Sequence, residues 1–189
     1  MGREFELKYA ATPAVQEKIR EKLGDFQEIS METTYFDTRD GALSKRHITL
    51  RSRLENGCCV CTLKTPCAGH GRGEWDAEAL WCAETVERLW QASGEQGVPF
   101  EELTPVCGAK FTRLAALVEL PDCTVEVALD QGVLLGGGRE MPLCEVEVEV
   151  KSGSEAVASR WAGALAAEFG LSLETKSKFR RASALAKGE

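Results

Sequence analysis

The sequence predicts an α+β fold in which an antiparallel sheet closes into a barrel, charged inside and coated outside by helices. Three observations lead there. Strand-like segments carry charge on one face and aliphatic residues on the other, at the period of two that a pleated strand imposes. The charged faces mix Arg and Lys with Glu and Asp, with almost no Ser, Asn or Gln between them. At least three segments carry helical apolar stripes that could cover the aliphatic face. An ordinary sheet with its charged face in water would account for any single strand. A lipid-carrying barrel would need an apolar lumen instead.

The chain opens on Glu4-Phe5-Glu6-Leu7-Lys8, which as a strand sets Glu4, Glu6 and Lys8 against Phe5 and Leu7. Thr12-Pro13 is a helix start, an N-cap followed by proline at the first helical position. Val15, Ile19 and Leu23 then recur every fourth residue, and Gly24 closes the segment. Strands are expected over 29–37, 46–54, 58–65 and 72–80. A helix follows from Ala83 to Ser93 with Val86, Leu89 and Trp90 on one face, and Gly94 to Pro105 is a connector. Strands resume at 110–119, 122–130 and 132–136, the last two bridged by Asp130-Gln131-Gly132, and then at 140–151. Ser154 caps a helix whose stripe is Val157, Trp161, Leu165 and Phe169, and Gly170 ends it. The basic stretch from Ser172 to Arg181 is either a loop or a short helix. No solenoid repeat or low-complexity tract interrupts the chain, so residues 1–189 are expected to form a single domain.

Composition narrows the function classes. Hydrophobic residues make up 43% and charged residues 28%, which is ordinary for a globular protein. No apolar run is long enough to span a bilayer, and the N-terminus is charged, so a cytoplasmic location is expected. A net charge of −7 argues against nucleic acid or an anionic membrane as partner, since both need a basic surface. The 8 cysteines include a Cys58-Cys59-x-Cys61 cluster, but no second pair at zinc-site spacing. They are read as reduced, structural residues.

Sorting each strand by face defines the candidate lumen. Arg51 and Arg53 share a side against Leu50 and Leu54; Thr62 and Lys64 oppose Cys61 and Leu63. Arg72, Glu74, Asp76 and Glu78 align, as do Glu126 and Asp130. A second acidic strand, Glu145-Val146-Glu147-Val148-Glu149-Val150-Lys151, repeats the pattern of the first, and the two are expected to face each other inside the barrel and hold metal ions. Alternating carboxylates are hard oxygen donors suited to Mg²⁺ or Mn²⁺. Arg binds phosphate oxygens in bidentate fashion and Lys as a point charge. Together they describe a site for a polyanion bridged by divalent metal.

These residues resemble the CYTH domain of the triphosphate tunnel metalloenzyme superfamily. Glu4-Phe5-Glu6-Leu7-Lys8 is similar to its ExExK signature. Further matches are Tyr35-Phe36-Asp37-Thr38, Leu50-Arg51-Ser52-Arg53, Thr62-Leu63-Lys64, Arg72-Gly73-Glu74, Cys144 to Glu149, and Ser177-Lys178 with Arg181. Phe111-Thr112-Arg113 and Ala128-Leu129-Asp130-Gln131-Gly132 resemble the bacterial inorganic triphosphatase branch, in which a helical CHAD domain often follows; none is expected within this chain.

The resemblance implies an eight-stranded antiparallel tunnel that binds triphosphate and requires divalent metal. It implies Glu4, Glu6, Glu145 and Glu147 as metal ligands, with Glu149, Glu74 and Asp76 as second choices. Lys8, Arg51, Arg53, Lys64, Arg72, Arg113 and Lys178 would line the triphosphate path, and Glu4, Glu6, Lys8 and Glu147 would serve catalysis. Tyr35 with Lys110 is the candidate for a tyrosine–lysine pair near the attacking water, although Lys110 and Arg113 differ by three and cannot share a strand face without a bulge. The expected activity is metal-dependent hydrolysis of inorganic triphosphate by a monomer or homodimer. Alternatives are hydrolysis of nucleoside or thiamine triphosphate, adenylate cyclisation, and non-catalytic polyphosphate binding.

Overall fold

Strand pairing organises the chain in the computed structural model, which describes the backbone of residues 2–66 and 72–189 and the side chains of residues 5–66 and 73–189. Residues 67–71, with Cys67 and His70 among them, lie outside the described residues, as does Met1. The strands are β1 (Gly2–Glu4), β2 (Glu6–Ala10), β3 (Gln27–Asp37), β4 (Thr49–Glu55), β5 (Cys58–Pro66), β6 (Arg72–Glu78), β7 (Thr104–Leu120), β8 (Cys123–Gly136), β9 (Arg139–Gly153) and β10 (Ser172–Leu173). They form one 10-stranded sheet in the order β1-β6-β5-β4-β3-β7-β8-β9-β2-β10. All its pairings are antiparallel.

This ladder has two ends and is not the closed ring of eight strands that was expected. The cause lies at the N-terminus. The opening run breaks at Phe5, gives its first half to β6 and its second half to β9, and is therefore counted twice. The same run thus touches both flanks of the sheet.

Local chemistry sets the hairpins. Asn56 and Gly57 between β4 and β5, and Gly137 and Gly138 between β8 and β9, all have positive φ. That is the backbone a two-residue hairpin of the right twist needs. The break expected at Asp130-Gln131-Gly132 does not occur. β8 runs straight through, with Gln131 and Gly132 in register with both β7 and β9. Gly132 serves close approach rather than a turn: a Cβ there would meet the Lys110 carbonyl oxygen at 2.2 Å.

The helices are α1 (Pro13–Leu23), α2 (Ala42–Lys45), α3 (Ala83–Ser93), α4 (Glu155–Phe169) and α5 (Lys178–Lys187). The expected caps form, with Thr12 accepting from the Val15 amide and Ser154 from the Val157 amide. Two elements go beyond the sequence reading. The single turn of α2 is organised by the buried Asp37 carboxylate, which accepts from the amides of Thr38, Leu43 and Ser44 and from the Ser44 hydroxyl. The basic tail resolves into α5, capped by Ser177. No helix among the described residues is long and apolar enough to cross a membrane.

Three apolar clusters hold the sheet. On one flank, Val125, Val127 and Leu129 of β8 and Val146 and Val148 of β9 pack with Ile19 of α1 and Ala158 and Ala162 of α4. On another, Leu50, Cys61 and Leu63 pack with Val86, Leu89 and Trp90 of α3. The third lies on the opposite sheet face, where Phe111, Leu134 and Leu143 receive Ala182 of α5. Gly136 lets α5 come that close, because a Cβ there would meet the Ala182 carbonyl oxygen at 2.4 Å. The described cysteines are free thiols. Burial, with Cys59 beside it, pushes the Cys61 thiol up to about 12, which fits a structural residue.

Burial decides where truncation matters. Leu63→Ala, at a position 0% exposed, is expected to cost about 2–5 kcal/mol in urea denaturation. Leu80→Ala, 77% exposed, is expected to stay within about 0.5 kcal/mol of the parent. Equal effects would contradict this core assignment.

Candidate functional site

Alternation along the strands turns one set of side chains into a cavity of about 700 Å³. Arg51, Arg53 and Lys64 reach it from β4 and β5, Glu74 and Asp76 from β6, Glu6 and Lys8 from β2, Glu147 and Glu149 from β9, Arg113 from β7 and Lys178 from α5. Their strand neighbours Leu7, Val146 and Val148 point the other way, into the first core cluster. Most of the expected site residues therefore share one space. The side chains of Glu4 and Arg72 lie outside the described residues, although their backbones are register partners across β1 and β6.

The two acidic runs are hydrogen-bonded neighbours and do not face each other across the cavity. Glu6 pairs with Glu149 and Lys8 with Glu147, while Glu149 pairs in turn with Glu126 of β8. A row of carboxylates thus crosses three strands. Lys151 reaches into it, 3.0 Å from Glu149 and 3.5 Å from Glu126. The partner of Glu6 is Glu149, the second choice, rather than Glu145.

Glu145 is not on the cavity wall. It is 0% exposed, as is Asp130, its register partner on β8. Together with Glu147 they bring three carboxylate oxygens within 4.8 Å of one another. Lys178 Nζ lies 2.7 Å from Asp130 Oδ2 and 2.8 Å from Glu147 Oε1 and also pairs with Glu145. Arg113 donates to Asp130 through Nε and Nη2, each at 2.8 Å, and to Glu147. Arg181 donates to Glu145. From the outer side, the Gln16 amide of α1 pins the backbone carbonyls of Asp130 and Glu145 at 3.0 and 2.9 Å. As hard oxygen donors, these carboxylates fit a divalent metal.

Asp130 was missing from the sequence-derived site. Alternation had aligned it with Glu126, but the Asp-Gln-Gly turn reading hid that its strand continues beside Glu145. The Tyr35–Lys110 pair does not form. Tyr35 lines the cavity and packs on Phe179, with ring centroids 5.2 Å apart. Lys110 points outward, toward Glu32, because Phe111 and Arg113 take the inner face of β7.

Charged groups on the β4 and β9 sides of the site are shifted by different neighbours. Burial, then the neighbouring Arg51 and Arg113, push Arg53 down to about 10, with Glu55 at 2.8 Å only partly opposing them. On the β9 wall, burial would raise the Glu147 carboxyl, but Lys178, Arg113 and Lys8 outweigh it and hold it well below the usual range. Burial dominates at Glu145 and leaves it raised. Lys178 is raised despite its burial by Asp130, Glu147 and Glu145.

These directions set the pH dependence of stability. Glu147, depressed in the fold, stabilises above its unfolded value of about 4.3, and this stabilisation is lost as pH falls toward the folded value. Lys178, raised in the fold, stabilises below about 10.4, and this is lost only as pH rises past the folded value. Glu145, raised, works against the first trend and makes the acid limb shallower. Glu147→Gln is thus expected to flatten the loss of stability between about pH 5 and pH 3 in urea denaturation. Asp130→Asn is expected to cost about 3–5 kcal/mol, because it leaves the largely buried Arg113, Lys178 and Arg181 with only two carboxylates, Glu145 and Glu147, to balance them. An unchanged acid limb in the first variant, or a neutral second variant, would contradict the network.

The family model described as the CYTH domain matches residues 2–183. The inorganic triphosphatase of Haemophilus influenzae is 32% identical over 164 residues, covering 82% of this chain and 47% of that protein. The chain thus spans about half the length of that relative. Among solved structures, the PH1819 protein of Pyrococcus horikoshii OT3 aligns with a TM-score of 0.68 and 22% identity, covering 98% of this chain and 99% of the other. HpAC1 of Hippeastrum, described as having a dominant triphosphatase activity, aligns with a TM-score of 0.71 and 18% identity, covering 100% and 97%. At such identities these two establish the shared fold. With a family match over nearly its whole length and an α+β fold built on one antiparallel sheet, this chain belongs to the CYTH domain family.

Proposed function

We propose that this chain hydrolyses inorganic triphosphate to pyrophosphate and phosphate, with Mg²⁺ or Mn²⁺ as its metal. One observation carries the reading: a single cavity is lined by two sets of charge, the cations Lys8, Arg51, Arg53, Lys64, Arg113 and Lys178 and the carboxylates Glu6, Glu74, Asp76, Glu126, Glu147 and Glu149. A polyphosphate with divalent metal satisfies both at once. The Haemophilus influenzae relative, an inorganic triphosphatase, supports the choice of substrate. The N-terminal run, shared between β6 and β9, supports a closed tunnel around the substrate rather than an open trough.

In this reading Arg53 and Arg51 take phosphoryl oxygens in bidentate fashion, and Lys64 and Lys8 act as point charges. Arg72, Arg113 and Lys178 complete the path. Glu4, Glu6, Glu145 and Glu147 hold the metal together with Asp130, and Glu149, Glu74 and Asp76 are second choices. When bound, a divalent metal polarises phosphoryl oxygens and makes water more acidic. Glu147 remains ionised across the neutral range, so its role is a fixed negative charge. The described thiols fit a reducing compartment, and the proposal places the protein in the cytoplasm.

A second reading, hydrolysis of a nucleoside or thiamine triphosphate, draws on the apolar side chains Ile29, Met31 and Val60 in the same cavity. Phosphate release from tripolyphosphate, ATP and thiamine triphosphate, each with Mg²⁺ or Mn²⁺, separates the two. Tripolyphosphate is expected to turn over at least about tenfold faster than the organic substrates. Glu4→Gln and Glu147→Gln are each expected to lower the rate by about a hundredfold or more, with circular dichroism unchanged. Persistent activity in both variants would sink the metal assignment.

A further inference from the structure

The place a divalent ion would take among Asp130, Glu145 and Glu147 is held by the chain's own ammonium group. Lys178 Nζ contacts all three carboxylates, whose oxygens are close enough together to coordinate a single ion. With Arg113 and Arg181, the three buried negative charges are matched by three positive ones. The cluster is neutral without any ligand. Lys178 also lines the cavity, on a flexible stem at the first turn of α5, with the Phe111 ring 5.2 Å away.

We propose that Lys178 is an exchangeable counter-cation: it neutralises the carboxylate cluster when metal is absent and turns to the polyanion when metal is bound. The inference rests on the metal–polyphosphate reading above. Leaving the carboxylates without a new partner would strand a buried ammonium, which is strongly unfavourable. A polyanion in the cavity supplies that partner. Conversely, a polyanion alone must draw Lys178 out of a cluster that would be left uncompensated. Each ligand removes the penalty the other meets, so their affinities are coupled, and by linkage the coupling is reciprocal. Lys178 is in this sense a positioning residue, distinct from Lys64 on the opposite wall, which touches Glu74 at 3.2 Å.

The test is a Mn²⁺ titration of the full chain in mildly alkaline chloride buffer, read by electron paramagnetic resonance of free Mn²⁺. Lys178→Gln is expected to bind Mn²⁺ about tenfold more tightly than the parent, and Lys64→Gln to change it by a much smaller factor. Equal or weaker binding by Lys178→Gln, or equal tightening by both variants, overturns the proposal. Should Lys178→Gln fail to fold, the parent decides. Sulfate, a weak Mn²⁺ chelator, replaces chloride at constant ionic strength and is expected to tighten Mn²⁺ binding about fivefold or more, whereas no change overturns the proposal. Failure here with metal-dependent phosphate release intact removes the exchange and leaves the hydrolase reading standing. Absence of metal-dependent release in the parent removes the reading itself.

Discussion

Three carboxylates withdrawn from water into the middle of a sheet would be untenable unless cations were brought to them, and this requirement shapes the molecule. Asp130, Glu145 and Glu147 come from β8 and β9, Arg113 from β7, and Lys178 and Arg181 from α5. Removing any one partner leaves an unpaired charge in a low-dielectric interior. The network therefore ties the C-terminal helix to the sheet, alongside the apolar cluster that holds Ala182 with Phe111 and Leu143. Arg113, Glu147 and Lys178 of this network also line the cavity, so the interaction that completes the fold is also the one a ligand must disturb.

The two faces of the sheet make this arrangement affordable. Outside, the valines and leucines of β8 and β9 are sealed by α1 and α4, and those of β4 and β5 by α3. That apolar burial offsets the desolvation of the charged groups inside. Gln16 links the two sides, since it belongs to the outer helix α1 yet holds the backbone from which Asp130 and Glu145 project inward.

Much of this was legible from alternation alone. The inward set Arg51, Arg53, Lys64, Glu74, Asp76 and Glu147 follows from period two in single strands, and so do the outward apolar residues, whereas Arg113 followed only from the family resemblance. Helices α1, α3 and α4 follow from their stripes and caps. What escaped the reading has two sources. Single-turn α2 depends on one carboxylate, Asp37, accepting amides from six and seven residues away, which no periodicity announces. Asp130 was concealed because Asp-Gln-Gly has turn composition, yet long partners on both sides held the strand straight.

The sequence by itself determined which side chains share a face, because a strand's alternation is a local steric property of the backbone. Only the tertiary structure decided which faces meet. Register made Glu149 rather than Glu145 the neighbour of Glu6, and carried Glu145 to a fully buried position beside Asp130. It also folded a basic tail back so that Lys178 could fill the acidic cluster. Those outcomes depend on hydrogen-bond pairing and charge compensation between segments far apart in the chain, which a local pattern does not encode.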